Sequence, residues 1–154
     1  MLVLTFQVGS NRLALDVRFV REVVPRVRLQ PVGSAPAWLA GVFVYRGRVV
    51  PVIDLHRLLG AAECPPHLST RIMLVSHTRA GAEQLFGVMA TQVADIRSVR
   101  APAPSTASLT VPGQPDLGPV LVDGQEVIHL VDPGRLLPEE YQRQLVIVPA
   151  ELPS

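Results

Sequence analysis

Residues 36–60 read PAWLAGVFVYRGRVVPVIDLHRLLG, the densest apolar run of the chain, and two arginines and an aspartate stand inside its strand-like part. Val42–Tyr45 lead into Arg46-Gly47-Arg48, and Val49–Ile53 lead out again. β-Branched and aromatic residues on both sides of a Gly-containing turn predict a hairpin. Pro51 has no N–H to give to a ladder, so the second arm is expected to be an edge or to break there. Asp54 stands where an N-cap is wanted, before a short helix Leu55–Leu59 that Gly60 ends. The centre of the chain therefore reads as strand, charged turn, strand, capped helix.

Upstream, Leu2–Val8 alternates, Gly9-Ser10-Asn11 turns the chain, and Leu13–Val17 alternates again, which predicts a second hairpin. Val17, Val20 and Val23/Val24 then recur at nearly helical spacing until Pro25. Arg26–Ala35 reads as a loop or short edge strand, and Pro36–Ala40 as a one-turn helix with Pro at its first position. Downstream, a loop over Ala61–Ser69 precedes a strand over Arg71–His77, a turn over Thr78–Glu83 and a longer strand over Leu85–Ile96. Arg100–Gly118 has the composition of a surface loop. A hairpin is expected over Pro119–Val131 around Asp123-Gly124, then a second capped turn from Asp132 to Leu137. In the tail, 138–154, Glu139–Val148 reads as a short helix.

The main regularity is an internal repeat. Val49–Leu59 reappears as Val127–Leu137, shifted by 78 positions (127 against 49), and Val20–Val23 reappears as Val93–Ile96, shifted by 73 (93 against 20). Two matches in the same order predict two similar half-structures, roughly 1–65 and 66–137, around one shared core within a single domain over 1–154. Many short strands with Gly/Pro turns independently predict an all-β fold.

A chain of 154 residues is long enough to bury roughly 68–70% of its unfolded surface without staples. With 48% hydrophobic and 18% charged residues it is apolar enough that some apolar surface is expected to serve partners. A formal net charge of +1 gives no argument for nucleic acid or an anionic membrane surface. All fourteen basic residues are arginine, whose planar fork suits carboxylates, although a coding bias explains the same count. The single Cys64 excludes an internal disulfide and a cysteine-based metal site. No stretch approaches a membrane span, and MLVLTFQVGSNR has no basic n-region, so a cytoplasmic protein is expected.

Little points to chemistry. His56, His67, His77 and His129 are scattered without metal-ligand spacing, and no nucleophile-elbow, P-loop or dinucleotide motif occurs. His56 two residues after Asp54 reads more simply as a helix-surface histidine beside a cap than as a polarised base. Cys64 lies in a proline-rich loop, a poor mount for a nucleophile. Neither catalysis nor a cofactor is expected. A single-stranded nucleic-acid-binding barrel is the alternative from another class; it needs a basic groove with exposed aromatics, and aromatics are only 5% of the chain. Glu22 and Arg46 interrupt apolar runs, and either a half-buried ion pair between them or two solvated edge residues accounts for this.

Four motifs carry a resemblance: F-x-V-x-x-x-x-L-A-L-D-V (Phe6–Val17), V-R-E-V-V-P (Val20–Pro25), A-P-A-W-L-A-G-V (Ala35–Val42) and R-G-R-V-V-P-V-I-D-L (Arg46–Leu55). They resemble the CheW family, the coupling proteins of bacterial chemosensory arrays, from about Leu2 to Leu137. The resemblance implies two five-stranded SH3-like β-barrels around a common hydrophobic core. It implies a non-enzymatic adaptor between the cytoplasmic tip of methyl-accepting chemoreceptors and the regulatory domain of a CheA-type histidine kinase, under the inner membrane but not inserted in it. Carried onto this chain, Glu22 and Arg46 match the receptor-facing charged positions, and Val20, Val23 and Val24 would line the receptor groove. Gly41, Val42, Gly47, Arg48 and Pro51 would shape the strands and turn presented to the kinase or other partners, and self-association is admitted. The family usually has Asn two residues before the R-G arginine, where this chain has Val44. With the early first strand and short tail, that departure also resembles the CheW-like proteins of Wsp-type surface-sensing systems, whose output is a diguanylate cyclase.

Overall fold

Strands with one solvated face, such as residues 20–25, alternate in burial, while those set between two cores, such as the one through residues 72–75, are apolar on both faces. The computed structural model describes residues 1–60, 64–65, 69–79, 81–100 and 118–136, except the side chains of Arg79 and Ala94. The strands are β1 (Leu2–Val8), β2 (Asn11–Asp16), β3 (Val20–Pro25), β4 (Leu39–Tyr45), β5 (Arg48–Asp54), β6 (Arg71–Arg79), β7 (Ala82–Ser98), β8 (Val120–Asp123) and β9 (Glu126–Leu130). Two one-turn helices, α1 (Leu55–Leu58) and α2 (Pro133–Leu136), follow β5 and β9. The expectations for the 100–118 loop and the tail fall almost wholly on 101–117 and 137–154, outside the described residues.

The strands form two five-stranded SH3-like barrels that share β7. Its first half pairs with β6 and β5, and its second half, from Thr91, with β1. At the changeover Gln92 takes φ 51°, and the Thr91 hydroxyl donates to the Gln7 carbonyl at 2.9 Å. A β-bulge of this kind re-aims a strand without ending it. Barrel I runs β7-β1-β2-β9-β8 and barrel II runs β3-β6-β7-β5-β4. The repeat halves and the barrels do not coincide: each barrel takes a hairpin from one half of the sequence and three strands from the other. Residue correspondence holds pair by pair, for Val44 lies opposite Val49 as Val122 lies opposite Val127.

Three apolar clusters follow from the two-residue period of the strands. Val50, Val52, Ile72, Leu74, Leu85 and Met89 fill barrel II, while Val3, Ala14, Leu121 and Ile128 fill barrel I. The intervening residues face the other way: Leu4, Phe6, Leu13, Leu15, Ile53, Met73, Val75, Phe86 and Val88 form the shared core between the barrels. Strands β1 and β6 are thus apolar on both faces, which is why IMLV at 72–75 does not alternate. Truncating Phe6 or Phe86 to Ala removes a side chain from the shared core, at a cost of about 3–5 kcal/mol.

The central hairpin forms as its composition predicts, and Pro51 is accommodated by register. Its cross-strand partner Val42 directs both main-chain groups away, exchanging hydrogen bonds with Gln30 at 2.8 and 2.9 Å. The missing N–H of Pro51 is therefore asked for nothing on that side, and pairing of β5 with β7 begins one residue later, at Val52. The cap is also as expected: Asp54 Oδ1 accepts from the His56 and Arg57 amides (3.0 and 3.4 Å), and Oδ2 from the Cys64 amide (2.9 Å). Asp132 repeats the motif, accepting from the Gly134 amide at 2.9 Å.

Three expectations are corrected. Val17–Val24 is not helical beyond a 3-10 turn at Val17–Phe19; β3 follows, and a register shift between Val20 and Glu22 puts Val20 and Val23 on one face. A bulge in a strand thereby mimics the three-residue spacing of a helix. Pro36–Ala40 is a single turn closed by Leu39 N–H to Pro36 O (3.0 Å), since Leu39 and Ala40 are drawn into β4. His56 is not on the surface: it is 5% exposed, because α1 lies flat against the shared core.

Candidate functional site

The β4–β5 turn is built for protrusion. Tyr45 pairs with Arg48, leaving Arg46 (φ 48°) and Gly47 (φ 77°) as the two loop residues. Two successive positive φ values define a type I′ turn, whose twist matches the strands. Glycine is at home there, and a Cβ at Gly47 would meet nothing, so its requirement is conformational. Arginine is not at home in the left-handed region, which costs about 1–2 kcal/mol. That conformation carries the Arg46 guanidinium back over the Tyr45 ring, 5.3 Å from its centroid.

The Tyr45 hydroxyl in turn donates to the Glu22 carboxylate of β3. Of the two arrangements admitted for Glu22 and Arg46, the direct ion pair does not form: the tyrosine stands between them, bonded to one and stacked under the other. Its hydrogen bond to Glu22, ahead of desolvation, raises the Tyr45 pKa above the ordinary tyrosine value, while the Arg46 and Arg21 charges oppose the shift. Beside this trio, Glu83 at the start of β7 accepts from Arg21 (2.8 Å) and Arg48 (3.4 Å). Three arginines, two glutamates and a tyrosine therefore close one end of barrel II.

The remaining predicted residues separate into groups. Val20 packs against the shared core and Val23 is exposed on the same, inter-barrel side, opposite Met73. Val24 packs instead into barrel II and lies outside that set. Val42 sits mid-strand and Pro51 is buried. Gly41, at φ 149°, is required by a close approach, since a Cβ there would lie 2.7 Å from the Gln30 carbonyl oxygen. Val44, in the position where the resembling family has Asn, is 64% exposed.

The chain-order reading missed Tyr45, Arg21 and Glu83, whose contacts cross 23 to 62 positions of sequence. It also missed that barrel I carries a counterpart. There the seam between β7 and β8 is closed by Arg97, donating to Asp123 (3.3 Å) and Glu126 (2.9 Å), with Arg12 on Glu126 at 2.9 Å. The Arg97 hydrogen bond, against the effect of burial, holds the Glu126 carboxyl below the usual range. The repeat signalled this surface, since Val122 and Ile96 correspond to Val44 and Val23 and are 72% and 65% exposed. Among the described residues no group of three or more His, Cys, Asp or Glu is placed to hold a metal ion. No helix among them is long and apolar enough to cross a membrane.

The double SH3-like barrel is a fold that this chain shares with known proteins. A family model described as CheW-like domain matches residues 2–141. Protein FrzA of Myxococcus xanthus is 32% identical over 143 residues, covering 90% of this chain and 86% of that protein. Chemotaxis protein CheW of Treponema pallidum is 36% identical over 53 residues, and that match spans 34% of this chain and only 31% of the Treponema protein. The crystal structure of the scaffolding protein TtCheW from Thermoanaerobacter tengcongensis has the same fold, with a TM-score of 0.70 at 22% identity over 89% of this chain and 87% of that one. The chain belongs to the CheW-like domain family.

Proposed function

We propose that this protein is a non-enzymatic scaffold that couples the cytoplasmic tip of methyl-accepting chemoreceptors to the regulatory domain of a CheA-type histidine kinase, at arrays on the cytoplasmic face of the membrane. Family membership supports the scaffold role. The observation that carries the site is the protruding turn, where Arg46 is held in a strained conformation by Tyr45 and Glu22 beside exposed Val44. Backbone strain at an exposed point is retained where the surrounding structure over-determines it, which marks a presented side chain. Val20, Val23, Glu22 and Arg46 meet the receptor, and the β4–β5 hairpin with Gly41, Val42, Gly47, Arg48 and Pro51 meets the kinase. Each contact fits about 800 Å² per partner, the scale of reversible assembly.

The test is co-purification of the full chain with a receptor cytoplasmic fragment and with the kinase regulatory domain. Binding to each is expected, with Arg46→Ala and Val23→Asp weakening receptor capture alone; capture of neither partner rejects the proposal. An apolar Val44 where the family usually has Asn favours a non-flagellar output of the Wsp type. Deletion of the gene should then alter cyclic-di-GMP levels and leave swimming intact, and the reverse result assigns the flagellar pathway.

A further inference from the structure

The connector between β3 and β4 begins with a stretch, residues 26–29, whose main chain has no hydrogen-bond partner among the described residues. Gln30, next in the chain, bridges to Val42. Burial alternates along this stretch: Val27 and Leu29 pack on the barrel II core while Arg26 and Arg28 point to solvent. A period of two marks extended backbone, so residues 26–29 present a short free strand edge. Gly41 keeps it pressed to β4, leaving no room for a Cβ between them.

Neither Arg26 nor Arg28 has an ion-pair partner among the described residues. Alongside the edge opens a cleft of about 750 Å³ whose floor includes Leu39 and Met89. Asp54 also lines it, but its two oxygens are turned to the amides of His56, Arg57 and Cys64. The cleft therefore offers outward-facing main-chain groups, apolar side chains at Leu39 and Met89 beside the charged Asp54 and Arg57, and two guanidinium groups without an ion-pair partner among the described residues. It lies at the opposite end of the β4–β5 hairpin from Arg46, roughly 20 Å along the strand, apart from the receptor site, and it borders the Gly41–Val42 segment.

We propose that this cleft binds an extended acidic peptide segment of a partner protein, added as a strand along residues 26–29 with its carboxylates on Arg26 and Arg28. Gln30 turns its main-chain groups to Val42, so in an extended chain those of Val27 and Leu29 face outward; edge addition satisfies these and leaves side-chain pockets to set specificity. Residues two apart on a strand are about 6.6 Å apart on one face, so the matching pattern is acidic–apolar–acidic. Each carboxylate then meets a guanidinium fork. A nucleic acid fits less well, since among the described residues no aromatic ring lines the cleft for stacking and bases do not satisfy alternating amides and carbonyls.

The experiment uses the full chain and a fluorescein-labelled peptide, Glu-Val-Glu-Val-Glu, with its Lys-Val-Lys-Val-Lys counterpart as control. Anisotropy should show binding of the acidic peptide alone, weakened by salt and weakened at least about tenfold by the double substitution Arg26→Ala, Arg28→Ala. Hydrogen exchange at the Val27 and Leu29 amides should slow about tenfold on saturation with the peptide. The charge-reversed variant Arg26→Glu, Arg28→Glu should prefer the lysine peptide, a gain that misfolding does not produce. Equal binding of both peptides to the natural chain, indifference to the arginine substitutions, unprotected amides in the complex, or tighter binding of an oligothymidylate would each overturn the proposal.

Discussion

The Tyr45 hydroxyl hydrogen-bonds Glu22 across the seam between β3 and β4, two edge strands that no backbone ladder joins. The matching seam of barrel I, between β7 and β8, is laced by Arg97 to Asp123 and Glu126. Each barrel thus closes its weakest side with side chains, one with a phenol on a carboxylate, the other with a guanidinium on two. Tyr45 should therefore titrate above the ordinary tyrosine value near 10. A group whose folded pKa is raised supports the fold at pH values below its unfolded pKa, and that support is lost as pH rises through the folded value. Ultraviolet titration, with Tyr45→Phe to assign the signal, should show Glu22→Ala returning Tyr45 toward 10. An unmoved titration curve would mean that the bond does not set it.

At the other seam the sign reverses. Glu126 has a lowered pKa, chiefly through its hydrogen bond from Arg97. Its contribution is present above the unfolded carboxylate value and disappears as pH falls through the folded one. Denaturant melts between pH 7 and pH 2 should show a steeper acid loss for the natural chain than for Arg97→Leu. Parallel curves would remove the seam from the account.

Arg46→Asn separates the fold from its use. Asparagine tolerates the left-handed region, and Asn-Gly is the preferred type I′ pair, so stability should rise by about 0.5–1 kcal/mol despite loss of the stacking on Tyr45. Receptor capture should fall at the same time, since the guanidinium is gone. A variant both more stable and fully binding would show that the strained arginine has no role in docking.

How much of this was legible in the sequence depends on how far apart the partners are. The hairpins, the Asp54 cap and the repeat are local patterns, and their periodicity and turn chemistry survive folding intact. The Tyr45–Glu22 bond and the Arg21–Glu83–Arg48 cluster join residues 23 to 62 positions apart, and only the strand order brings them together. Val20–Val24 misled because a bulge copies helical spacing, and the exchange of hairpins between barrels leaves no trace in a repeat that both arrangements satisfy. His56 misled for a related reason: its burial is decided by where α1 lies, not by its neighbours in sequence.

That burial makes the last prediction. His56 is 5% exposed and its Nε2 atom has no hydrogen-bond partner among the described residues. Desolvation lowers its pKa, while the Asp54 charge and the Gln7 main chain pull the other way. The fold thus holds His56 neutral more firmly than the unfolded chain does. Stability should be complete above the unfolded histidine value near 6.5 and fall as pH drops from there toward the lowered folded value. His56→Leu removes both the titration and the orphaned nitrogen from a site against the shared core, so its stability should be nearly flat between pH 7 and pH 5 where the natural chain declines. Chemical melts of the two proteins across that interval measure it, and an equal decline in both would place the acid sensitivity elsewhere.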